Sequence, residues 1–131
     1  MVRILITSHG TMAEGMAQSV RMLVGEQDHL DIVTFEEEMG AEELEERFRS
    51  VLGETSDDHQ YLVFCDILGG TPFNVVSRFS YQNDNIAVIY GMNLPLVIEA
   101  LMISGDGEVC LQQLAKDLMS KAGSSIGLST L

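Results

Sequence analysis

His9 closes the first apolar run of the chain, and Asp66-Ile67-Leu68-Gly69-Gly70-Thr71-Pro72 follows the third. An imidazole, a carboxylate and a glycine-rich segment leading into a helix make one kind of chemistry available together. A carboxylate that accepts from one ring nitrogen fixes the histidine tautomer and leaves the lone pair of the other nitrogen free to attack. His9 is therefore the candidate nucleophile and Asp66 its orienting partner. Backbone N–H groups at the start of a helix attract an anion, glycines let it come close, and the Thr71 hydroxyl adds a donor. Gly10, Gly69, Gly70 and Thr71 are the candidate anion-holding residues, and the anion that suits them is a phosphoryl group in flight. Its transfer needs positioning and charge stabilisation more than covalent machinery.

Taken singly, each feature has a plainer reading. His9 is an ordinary loop histidine, Gly69-Gly70-Thr71-Pro72 a turn with a helix cap, and Asp66 a cap for a loop amide. What joins them is the order of elements. Val2 to Thr7 is a short β-branched run read as a buried strand, and Thr11-Met-Ala-Glu14 matches the capping-box pattern before a helix that ends at Gly25. Leu30 to Phe35 is a second strand. Leu44, Phe48, Val51 and Leu52 then form one apolar helical stripe, with the glutamates between Glu36 and Glu46 on the solvated side. Tyr61 to Cys65 is a third strand, apolar throughout as burial on both faces requires. Thr71 is the expected N-cap of a helix beginning at Pro72. Ile86 to Tyr90 is the fourth strand, Asn93-Leu94-Pro95 opens another helix, and Val109 to Met119 forms the last.

This alternation predicts an α/β fold with a doubly wound, mostly parallel sheet of order 2-1-3-4 and helices on both faces. One domain spans residues 1–131, with the tail from about 122 open between a frayed end and an added edge strand. In such sheets ligands bind beyond the carboxyl ends of the strands where the order reverses, here between strands one and three. Those are the strands that end at His9 and at Asp66.

The 131 residues carry seven Lys and Arg against twenty Asp and Glu, a net charge of −13 that repels nucleic acid and anionic lipid. The 46% hydrophobic content excludes disorder as the main state. Cys65 and Cys110 have neither CxxC spacing nor a disulfide framework, which fits a reducing compartment; Cys65 is read as core and Cys110 as a helix-start residue without a partner. With no signal-peptide core and no spanning stretch, a soluble cytoplasmic protein is expected. His29 and His59 lie in acidic stretches and are read as solvated loop residues, not metal ligands. Met12, Met16 and Met92 are placed near the crevice, as core or as a partner-binding rim. Arg78 is the basic residue closest in sequence to the Gly-Gly segment, facing either a partner or the core.

Three segments in order, Ile6-Thr-Ser-His9-Gly-Thr-Met-Ala-Glu-Gly15, Asp66-Ile-Leu-Gly-Gly-Thr-Pro-Phe-Asn74 and Gly91-Met-Asn-Leu-Pro95, give the chain its resemblance to a known family. It resembles, over nearly its whole length, the IIA component of the mannose-class phosphoenolpyruvate-dependent sugar phosphotransferase system. The resemblance implies a phosphotransferase component in which HPr passes a phosphoryl group to His9. His9 passes it on to a IIB component that phosphorylates sugar entering through a membrane IIC/IID transporter. It implies further that Asp66 orients the imidazole, that Thr71 and the adjoining amides hold the phosphoryl oxygens, and that the protein is a homodimer, with Ser124 to Leu131 the segment open to serve as an edge strand exchanged between subunits. No small-molecule cofactor and no metal are implied.

Other readings stand beside this one. Domains of the same family occur within transcriptional regulators of sugar operons, and the phosphoryl carrier of dihydroxyacetone kinase is related but departs from the glycine motif. A receiver-like domain would need an acidic cluster where Ser8-His9 stands. A nucleotide-binding module would need GxGxxG or GxxxxGK[ST], and neither is present.

Overall fold

A computed structural model describes residues 1–131. In chain order the elements are β1 (Val2–His9), α1 (Met12–Val24), β2 (Leu30–Phe35), α2 (Ala41–Leu52), β3 (Gln60–Cys65), α3 (Thr71–Ser80), β4 (Ile86–Tyr90), α4 (Leu94–Ser104) and α5 (Leu111–Lys121), followed by a 3-10 turn at Ala122–Ser124. All strand pairs are parallel and the order is β2-β1-β3-β4, as the sequence predicts.

Alternation along the strands sends side chains to two separate cores. Ile4, Ile6 and Phe64 pack under α1, α4 and α5, against Val20, Leu101 and Leu114. Leu5, Val33 and Val63 pack under α2 and α3, against Leu44, Phe48 and Val76. Full burial of a side chain of this size contributes roughly 1.5–3 kcal/mol relative to exposure, so the two layers together fix which face each strand residue occupies. The register pairs Thr7 with Val33 and Cys65, and His9 with Phe35. The carboxyl ends of β1, β2 and β3 therefore lie side by side, and the order reverses between β1 and β3.

Several local expectations are corrected. β1 continues through His9 rather than stopping at Thr7, because Ser8 and His9 keep pairing with Thr34 and Phe35. Thr11 precedes α1 but its side chain caps nothing; the Ser8 hydroxyl accepts from Ala13 N–H at 2.8 Å instead. Gly70, not Thr71, occupies the N-cap position of α3, and Thr71 is its first residue. Asn93 does cap α4, accepting from Leu96 N–H at 3.0 Å. His29 is buried rather than solvated. The end of α4 packs over it, and its Nε2 lies 3.0 Å from Leu101 O, a contact 72 positions away in the chain that no local pattern reports. Met92 is likewise core, not rim. Arg78 faces neither the core nor the crevice, its guanidinium being 3.6 Å from Glu45 of α2. In this chain residues 126–131 pair with no strand.

Candidate functional site

β1 delivers Ser8 and His9 to opposite faces of the sheet. The Ser8 hydroxyl donates to His9 O (3.1 Å) while accepting from α1, which ties the end of the strand to the helix that follows. Asp66 is the first residue beyond β3. Its Oδ2 accepts the main-chain N–H of His9 at 2.9 Å and lies 2.7 Å from His9 Nδ1, and its Oδ1 accepts Ile67 N–H at 3.0 Å. The Asp66 side chain is 13% exposed and the His9 side chain 48%. The carboxylate is thus sheltered and the ring open. Burial works to raise the Asp66 pKa, but the His9 N–H, the His9 ring and the Ile67 N–H outweigh it and hold the carboxyl below its ordinary range.

With Nδ1 engaged by a carboxylate, the proton sits on Nδ1 and the lone pair on Nε2. Gly70 backs this side of the ring. A Cβ at position 70 would stand 2.7 Å from His9 Cε1 and 3.3 Å from Nε2, so only glycine fits. Gly69 takes a φ of +82°, and its carbonyl accepts from Asn74 Nδ2 at 3.1 Å. Asn74 N–H donates to Gly70 O, whereas the N–H groups of Thr71 and Phe73 have no backbone acceptor. The start of α3 thus offers free donors beside the histidine. Gly10, expected among those donors, gives its N–H to Phe35 O at 2.9 Å and serves to turn the chain, with a φ of +60°.

Met12, Ile67 and Leu68 are exposed at this end of the molecule. Cys65, just before Asp66, is fully buried; burial first and the Asp66 charge second push its thiol up to about 12, so it is no nucleophile. No three His, Cys, Asp or Glu side chains gather in a way that could hold a metal ion.

A family model described as EIIA-man, PTS system fructose IIA component, matches residues 3–117. The chain belongs to the EIIA-man family. It is 30% identical over 103 residues to the fructose-specific EIIA component of a phosphotransferase system in Bacillus subtilis, covering 79% of this chain and 70% of that protein. It is 33% identical over 105 residues to the mannose-specific EIIAB component of Escherichia coli, covering 80% of this chain but only 32% of that longer protein. Among solved structures, the EIIA component from Streptococcus agalactiae superposes with a TM-score of 0.88 at 26% identity, covering 98% of this chain and 97% of the other. EIIA-man proteins are phosphotransferase components, and no helix of this one is long and apolar enough to cross a membrane.

Within this EIIA-man fold, His9, Asp66, Gly70 and the start of α3 come together, as their positions at two strand ends imply. Reading the sequence missed Phe35. Its ring meets that of His9 at 5.8 Å between centroids and 71° between planes. Only the strand register makes the two neighbours. It missed Ser8 as a cap because the capping-box pattern pointed to Thr11.

Proposed function

We propose that this protein is a cytoplasmic phosphohistidine carrier that accepts a phosphoryl group from HPr on Nε2 of His9 and delivers it to a IIB component. The observation that carries this reading is the 2.7 Å contact between Nδ1 and a sheltered carboxylate on a ring that is otherwise open. In the transfer, the Nε2 lone pair forms the new N–P bond as the P–N bond to the donor histidine breaks, and the donor nitrogen keeps that electron pair. The Nδ1 proton stays in place. As positive charge develops on the ring, the adjacent Asp66 carboxylate stabilises it. Gly69, Gly70 and the free N–H groups at the start of α3 face the phosphoryl oxygens, with the Thr71 hydroxyl beside them. Discharge to IIB is the same step in reverse, so donor and acceptor compete for one apolar rim formed by Met12, Ile67 and Leu68. The IIB component then serves sugar uptake through a membrane IIC/IID transporter.

The functional unit we propose is a homodimer. The outer edge of β4 has no strand partner, and a groove of about 500 Å³ beside it is lined by Val88, Ile89, Leu96 and Met119. Ile126 and Leu128 in the tail are 81% and 95% exposed, which suits them to the groove of a second copy.

The test is incubation with phosphoenolpyruvate, enzyme I and HPr, followed by intact mass and phosphosite mapping. One alkali-stable phosphoryl group on His9, absent from His9→Ala and dischargeable by a IIB protein, is the expected result. Phosphorylation retained in His9→Ala overturns the assignment.

A further inference from the structure

An imidazole pinned at one nitrogen is not yet pinned in orientation. The torsion that swings its plane is broad and two-fold, with no sharp staggered wells to hold it. Asp66 holds Nδ1, and Gly70 closes one side by leaving no room for a Cβ. The remaining support comes from β2. Phe35 is the register partner of His9 across the parallel β1–β2 pair, and the main chains are locked there by Gly10 N–H donating to Phe35 O at 2.9 Å. Phe35 is half-buried and packs against the core beneath α2 and α3, so its ring is itself held. The two rings meet edge to face, the arrangement that aromatic quadrupoles favour.

We propose that Phe35 is a positioning residue of the carrier: its ring holds the His9 imidazole in the plane in which Nδ1 meets Asp66 and Nε2 points at an incoming phosphorus. This rests on the phosphocarrier reading above. A nucleophile displaced by about 1 Å loses on the order of 10²-fold in rate, so loss of the aromatic edge shows in transfer and not in fold.

The experiment compares wild type, Phe35→Leu and Phe35→Tyr with two donors. One is phospho-HPr. The other is phosphoramidate, a small donor whose P–N bond breaks with ammonia leaving as Nε2 takes the phosphoryl group, so that no protein docking enters. Ring 15N resonances of His9 are recorded on the unphosphorylated proteins. In Phe35→Leu we expect the saturating rate to fall roughly tenfold or more with both donors, the KM for phospho-HPr to hold, and the His9 resonances to move or broaden. Phe35→Tyr restores the rate with both donors and the resonances. A wild-type rate and unchanged resonances in Phe35→Leu overturn the proposal. So does a rise in the KM for phospho-HPr with an unchanged phosphoramidate rate, which makes Phe35 a docking residue. Phe35→Met provides the same comparison if Phe35→Leu loses its fold. Should wild type take no phosphoryl group from either donor, the carrier reading fails, and the 15N resonances still decide whether Phe35 orients the ring.

Discussion

A single oxygen of Asp66 receives two hydrogen-bonding groups of His9, its main-chain N–H at 2.9 Å and its ring Nδ1 at 2.7 Å. The main-chain bond anchors the carboxylate to the end of β1, and the ring bond then sets the imidazole against that anchor. Asp66→Asn cannot serve all three of the groups that the carboxylate accepts. With the amide oxygen in place of Oδ2 both His9 contacts are kept, but the NH₂ faces the Ile67 N–H and no charge is left to stabilise the imidazolium. With the amide turned over, the NH₂ faces the His9 N–H and Nδ1, and the ring proton moves to Nε2. Phosphoryl transfer should fall by roughly 10²-fold or more through the lost charge or the wrong tautomer. Stopped transfer assays and ring 15N shifts check this together, and an unchanged rate removes Asp66 from the mechanism.

The same hydrogen bonds make stability depend on acidity. The Asp66 carboxyl titrates below its ordinary value of 3.8 in the folded protein, because the bonds from His9 and Ile67 outweigh the opposing effect of burial. On acidification the unfolded chain therefore takes up this proton first. The stabilisation is fully present above 3.8 and is lost as the pH falls through the lower folded value. Melting curves should show wild type losing its advantage over Asp66→Asn across that acidic window. Parallel curves for the two proteins would contradict it.

Gly70 is required for space and Gly69 for backbone conformation, and the two substitutions should separate. In Gly70→Ala the new methyl meets His9 Cε1 at 2.7 Å and the Ile67 side chain at 3.0 Å. Forced overpacking of this kind costs typically about 1–3 kcal/mol, and here the group that must yield is the nucleophile. Transfer should drop at least tenfold, to about the extent that a misplaced reacting atom dictates. Gly69→Ala meets no neighbour but sits at a φ of +82°. It should lower the melting temperature while disturbing the His9 ring resonances less.

Ser8 and Thr11 exchange the roles that the capping pattern suggests. Ser8→Ala removes the acceptor for Ala13 N–H and should destabilise the protein by about 1 kcal/mol, within the usual range for a lost cap. Thr11→Ala removes no side-chain cap bond and should leave the denaturation midpoint nearly unchanged. Urea titrations of the two variants decide between them.

The sequence by itself determined the sheet and the approximate site. Short β-branched runs alternating with amphipathic helices leave few arrangements that bury both faces of a parallel sheet, so order 2-1-3-4 and the crevice between β1 and β3 follow from local pattern. His9 and Asp66 were legible because each stands at the end of one of those strands. Tertiary structure alone decided what depends on register and on contacts between distant segments. It brought Phe35 beside His9, placed Gly70 against the ring, buried His29 beneath α4 and gave the cap of α1 to Ser8. The physical reason is that residue type and spacing fix which face a side chain takes, whereas packing across the sheet fixes which side chain it meets. A change of one position in strand register reverses every such pairing without altering the local pattern.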